Sequence, residues 1–170
     1  MAIPDISAIV RNPTEWANGG IALASLDEWY KAAFYNGDTQ SYYTYAGSNT
    51  IPVSGVDANF VGGGNRTVEV GSFDHFTSFY GTLDQNGNLW EMTDTVNFTG
   101  ELYRRGGSYN AAGTTLQSGG SAVITLDGEG SNLGFRVVSL QPIPEPSTYA
   151  AIFGALALAF AAYRRRTLLA

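Results

Sequence analysis

The run Asp84-Gln85-Asn86-Gly87-Asn88-Leu89-Trp90-Glu91 gathers oxygen-bearing side chains around one glycine. Hard cations such as calcium take six to eight oxygen ligands, and Asn86, Asn88 and Glu91 could supply some of them. The competing reading is a turn in which the Asn side chains bond to their own backbone. An EF-hand is excluded: its sixth position requires glycine where Leu89 stands, and its twelfth requires glutamate where Thr95 stands. Asp84 and Glu91 could also be read as a glycosidase carboxylate pair, but an Asn/Gly turn between them provides no defined geometry. Nucleophilic chemistry has little to work with. There are 0 cysteines, so there is no thiolate metal site, no cysteine nucleophile and no disulfide. The only base for a serine triad is the single histidine, His75, which lies between Asp74 and Phe76 and reads as a surface residue. Gly62-Gly63-Gly64 lacks the Lys-Ser/Thr of a phosphate loop, and Gly128-Glu129-Gly130 with Gly134 lacks dinucleotide spacing.

Two further motifs define backbone shape. In Arg105-Gly106-Gly107-Ser108, glycine tolerates positive φ, so the chain can turn sharply while an arginine reaches buried carbonyls or a carboxylate. Gly134-Phe135-Arg136 reads as strand, with Phe135 expected in the core and Arg136 on the opposite face. One soluble helix is predicted from Ser25, an N-cap with Glu28 three residues on as a capping box. Leu26, Trp29, Tyr30 and Ala33 form its apolar face, and Asn36-Gly37 ends it. Short β-prone runs follow at Tyr42–Tyr45, Val68–Phe73, Ala122–Leu126 and Phe135–Leu140. The 21 glycines and the 13% aromatic content describe a turn-rich domain, not a helical bundle. With 44% hydrophobic residues the chain can build a core, and a net charge of −6 argues against nucleic acid as a partner.

The charge divides unevenly. Through residue 140 there are six basic and fourteen acidic residues, a net −8, whereas Arg164, Arg165 and Arg166 crowd the end. Tyr149–Tyr163 contains no charge and is apolar all round, which predicts a short transmembrane helix over 149–163. Arginine clusters stay cytoplasmic, so this orientation puts the preceding domain outside the membrane. Pro144-Glu145-Pro146 lies in a proline-rich linker, residues 141–148, and a basic tail occupies 164–170. Pro-Glu-Pro, a short apolar helix and an arginine cluster, in that order, resemble the PEP-CTERM sorting signal of Gram-negative bacteria. The resemblance implies recognition and cleavage by an exosortase, export across the inner membrane, transient membrane anchoring, and a place at the cell surface or in a biofilm matrix. No signal peptide precedes residue 10, so a longer parent chain is expected.

Within residues 1–140, Leu26-Asp27-Glu28-Trp29-Tyr30-Lys31-Ala32-Ala33, Gly87-Asn88-Leu89-Trp90-Glu91, Arg105-Gly106-Gly107-Ser108 and Gly134-Phe135-Arg136 stand in an order that resembles the formylglycine-generating enzyme (sulfatase-modifying factor) family. The resemblance implies an α+β, C-type-lectin-like fold with little regular secondary structure. It also implies structural calcium held at Asn86, Gly87, Leu89 and Glu91. Active relatives oxidise a substrate cysteine with a copper-binding cysteine pair shortly after Arg-Gly-Gly-Ser; here that stretch is Tyr109–Thr115, without a thiol. A related branch holds nonheme iron with histidines, and His75 alone cannot form a facial triad. Met92 also replaces the second tryptophan of the family's Trp-Glu-Trp. The expected function is therefore a non-catalytic domain that binds exopolysaccharide or an envelope partner. The alternative is an oxidoreductase of the same family whose ligands lie outside this sequence.

Overall fold

The computed structural model describes residues 11–140, together with Leu158 and Phe160. A short helix α1 (Pro13–Ala17) begins the described chain. Proline at its first position sacrifices no helical N–H, and the Asn12 side chain accepts the Thr14 N–H at 3.0 Å. Strand β1 (Ile21–Leu23) leads into helix α2 (Leu26–Phe34). The capping box forms as expected: Ser25 Oγ accepts from the Glu28 N–H, and the Glu28 carboxylate accepts from the Ser25 N–H. Trp29, Ala33 and Phe34 form the buried face of α2 and pack with Ala24 and Ala46 as the main core.

A tight hairpin of β2 (Tyr35–Asn36) and β3 (Ser41–Tyr42) follows α2. Residues 43–89 then carry only isolated bridges, and a second core of Tyr45, Ala58, Phe60 and Leu116 forms beneath them. The central sheet comprises β4 (Trp90–Val96), β5 (Leu102–Arg105), β6 (Ala122–Ile124) and β7 (Leu133–Phe135), in the order β6-β5-β4-β7. Its pairs are antiparallel except β4 with β7, which run parallel. A 3-10 turn at Gly113–Leu116 lies between β5 and β6. The last strand, β8 (Val137–Ser139), returns to pair with β1.

The sequence expectations and the fold part company at several places, and of the run Tyr42–Tyr45 only Tyr42 lies in a strand, β3. Val68–Phe73 is not a strand: its residues lie in an irregular stretch and turns, Gly71 has φ +80°, and the Val68 backbone bonds to the Asn88 side chain. Phe135–Leu140 is broken at Arg136 into β7 and β8. No helix among the described residues is long and apolar enough to cross a membrane. The expected helix at 149–163, the motif Pro144-Glu145-Pro146 and the cluster Arg164–Arg166 lie outside the described residues, save that Leu158 and Phe160 are helical and exposed.

Candidate functional site

The central sheet brings three of the sequence motifs into one rung. Glu91 on β4 is in register with Arg105 on β5 and with Gly134 on β7. Trp29 reaches the same point from α2. Its indole N–H donates to Glu91 Oε2 at 2.5 Å, and Arg136 donates from Nε to Oε2 at 2.9 Å and from Nη2 to Oε1 at 2.8 Å. Arg136 Nη2 also donates to the Leu83 carbonyl at 2.8 Å. The Glu91 side chain is 11% exposed and that of Arg136 26%. A carboxylate this deeply placed requires a cation and hydrogen bonds, and both are supplied within the fold.

This arrangement reverses the expected orientation of Gly134-Phe135-Arg136. Arg136 turns inward to Glu91, and Phe135 is 63% exposed. The electrostatic requirement of Glu91 outweighs the burial of one aromatic ring. Phe135 instead helps to line a cavity of about 230 Å³ with Val70, Leu83, Asp84 and Leu89, with Glu91 and Arg136 in its wall. Asp84 adopts φ +61°, and its carboxylate accepts the Gly71 N–H at 2.6 Å. Both carboxylates of the considered glycosidase pair are thus engaged by the protein.

Arg105 behaves as its motif suggests. It is buried; its Nη2 donates to the Ser118 carbonyl at 2.6 Å and its Nη1 donates to the Gly120 carbonyl. The guanidinium lies over the rings of Trp29, Tyr30 and Phe34, 5.1–5.6 Å from their centroids. Burial pushes the group below the ordinary arginine value. Gly106 and Gly107 have φ +88° and +74°, and a Cβ on Gly107 would press on Thr115 and Leu116.

The asparagines of this run bond to segments far away in the chain. Asn86 accepts the Ala46 N–H at 3.1 Å and donates to the Ala46 carbonyl at 3.0 Å, imitating a strand partner across forty residues of chain. Asn88 Oδ1 accepts from Val68 N and Asn59 Nδ2, both at 3.0 Å. The Gly87 N–H donates to the Gly106 carbonyl at 2.7 Å. These side chains fasten distant loops instead of capping their own turn or facing a shared centre. Of the calcium set expected at Asn86, Gly87, Leu89 and Glu91, the one carboxylate is paired with Arg136.

A family model described as a sulfatase-modifying factor enzyme 1-like domain matches residues 11–140. The chain belongs to this family. Two solved structures share the domain's fold. Treponema denticola variable protein 1 matches at TM-score 0.58 and 23% identity, over 70% of this chain and 47% of that one. The structure titled "Crystal Structure of CarF" matches at TM-score 0.58 and 26% identity, over 72% of this chain and 48% of that one. The chain therefore spans about half the length of either neighbour. No curated protein matches it.

For a sulfatase-modifying-factor domain, the notable departure lies after Arg-Gly-Gly-Ser. Ser108 is fully buried and donates to Asn110 at 2.8 Å; Asn110 accepts in turn from Asn132 at 3.1 Å; and Tyr109 meets Ser131 at 3.2 Å. The segment is a hydrogen-bonded loop without thiol or imidazole. His75 stands elsewhere on the surface, 3.2 Å from Asp57. Among the described residues no three His, Cys, Asp or Glu side chains gather where a metal could sit. The residues present do not fit the copper or iron of active relatives. Sequence reasoning missed the Trp29–Glu91 bond, although Glu28-Trp29 and Trp90-Glu91 were both among the motif residues.

Proposed function

We propose that the chain is an exported, exosortase-sorted protein whose body is a non-catalytic sulfatase-modifying-factor domain that binds exopolysaccharide or another envelope component. The observation that carries the non-catalytic half is the use made of the motif residues. Glu91, Arg105 and Arg136 are each spent on internal partners, and the loop after Arg-Gly-Gly-Ser holds hydroxyl and amide groups only. The loop supplies neither the thiolates that copper(I) selects nor the imidazoles of a nonheme iron site. Binding suits a fold of this kind, with rigid strands beneath long surface loops.

The sorting half rests on the tail. Fifteen uncharged residues at about 1.5 Å each reach about 22 Å, short of a hydrocarbon core of about 30 Å. Such a segment holds marginally, which suits a signal that is read once and removed. Cleavage near Pro144-Glu145-Pro146 would leave a body of net charge about −8, which anionic lipid repels. The test is expression in a Gram-negative host that carries an exosortase. Mature protein should lack Arg164–Arg166 by C-terminal mass spectrometry, and replacing Pro144-Glu145-Pro146 with alanines should leave the uncut form in the inner membrane. Mature protein that retains the three arginines with the motif intact overturns the sorting reading.

A further inference from the structure

A second cavity, of about 290 Å³, opens beside α2, lined by Leu26, Asp27, Tyr30, Arg105 and Ser121. Three of its polar groups are unused. The Asp27 carboxylate, the Tyr30 hydroxyl and the Ser121 hydroxyl make no hydrogen bond to any described residue. Asp27 and Ser121 are exposed and Tyr30 is half-buried, so all three groups are open to a ligand that enters the hollow. The cavity continues into an aromatic strip. The Tyr30 ring lies 5.2 Å from Tyr42, which is half-exposed, and Tyr42 lies 5.1 Å from Tyr35.

We propose that this cavity and strip bind a neutral oligosaccharide. Sugar recognition combines an aromatic surface for the apolar C–H face with a few directional groups for the hydroxyls. Tyr42 supplies the surface. Asp27 accepts from sugar hydroxyls, and Tyr30 and Ser121 can donate or accept. Anionic ligands are disfavoured on three counts. The Arg105 terminal nitrogens are taken by the Ser118 and Gly120 carbonyls, Asp27 adds a negative charge, and the body carries a net −8. The inference rests on the binding-module reading above and names its ligand class and place.

The full chain in detergent buffer would be titrated by calorimetry with tetrasaccharides of glucose, galactose and mannose, and with tetragalacturonate. At least one neutral tetrasaccharide should bind, and tetragalacturonate should bind at least tenfold more weakly. Tyr42→Ala and Asp27→Asn, both on exposed side chains, should each weaken the neutral ligand by about tenfold. Asp57→Asn, on the His75 surface, should leave it unchanged, and circular dichroism would verify folding of each variant. Neutral binding that survives both Tyr42→Ala and Asp27→Asn overturns the site while the binding-module reading stands. No binding of any neutral tetrasaccharide overturns the site, and capture of the host's own polysaccharide by the same chain then decides whether the wider reading falls with it.

Discussion

Arg136→Leu removes one side of the ion pair at the centre of the sheet. Glu91 then loses two charge-assisted hydrogen bonds and keeps only the Trp29 N–H, and the Leu83 carbonyl loses its donor. Truncating one partner of a buried pair costs about 3–5 kcal/mol, because the other charge stays behind uncompensated. Arg136 is 26% exposed, so water can replace part of what is lost, and about 3 kcal/mol is the expectation here. At about 4 °C per kcal/mol for a domain of intermediate size, Tm should fall by about 12 °C. Urea unfolding followed by tryptophan fluorescence measures it directly, since Trp29 reports from the site. The double variant Glu91→Leu/Arg136→Leu should recover about 2 kcal/mol relative to the sum of the single losses, because removing both charges leaves none stranded. An Arg136→Leu loss below 1 kcal/mol, or strict additivity in the double variant, would refute the reasoning.

Two further perturbations separate backbone from side-chain effects. Gly87 has φ +88° and a Cβ there would overlap the Asn59 carbonyl oxygen, whereas Gly81 has φ +75° and open space around it. Gly87→Ala should therefore cost about 3 kcal/mol or more and Gly81→Ala only about 1, compared by thermal melting; equal losses would show that φ alone matters. The hydrogen bond from Arg11 holds the Glu28 carboxyl down at about 2, from an ordinary value near 4.5. A lowered carboxyl contributes stability that is complete above about pH 4.5 and is lost as pH falls toward 2. Asp94, raised by burial, has the opposite sign in that region. Arg11→Gln should flatten the decline of stability between pH 4.5 and 2, and an unchanged slope would remove Glu28 as its source.

How far the sequence reveals this molecule depends on how local each interaction is. The capping box of α2 was legible because Ser25 and Glu28 answer each other within one turn. The turn at Gly106-Gly107 was legible for the same reason, whereas the Arg105 motif announced a bond to carbonyls without naming Ser118 or Gly120. Strand β4 was not. Its buried positions are Trp90, Glu91 and Thr93, so the usual apolar alternation is absent: Glu91 answers Trp29 and Arg136, and Thr93 donates to the Tyr103 carbonyl at 2.9 Å. Val68–Phe73 failed the opposite way. Its alternation reads as strand, yet Val70 is 87% exposed, and the side chain of Asn88 takes the place a neighbouring strand would have held. Asn86 could not be assigned because its partner, Ala46, carries no mark in the sequence. Family motifs found the rung at Glu91, and they also contain Leu26, Asp27, Tyr30 and Arg105 of the second hollow, but nothing in the sequence brings Ser121 to those residues.

The pairing of β1 with β8 has a mechanical consequence. Ile21 is opposite Ser139 and Leu23 opposite Val137, so the start of β1 and the end of β8 lie at the same end of a two-stranded ribbon. A pull between the segment before Ile21 and the segment after Ser139 loads the ribbon's hydrogen bonds one after another, as a zipper opens, and not all together in shear. Tension would therefore peel β8 away from β1 at low force. The four-stranded sheet is joined to the line of pull through Arg136 and β7 on one side and through the Asp94 N–H to Ala24 carbonyl bond on the other, and it would stay closed behind the ribbon. A tether at this end would stretch by giving up one short strand before the body yields.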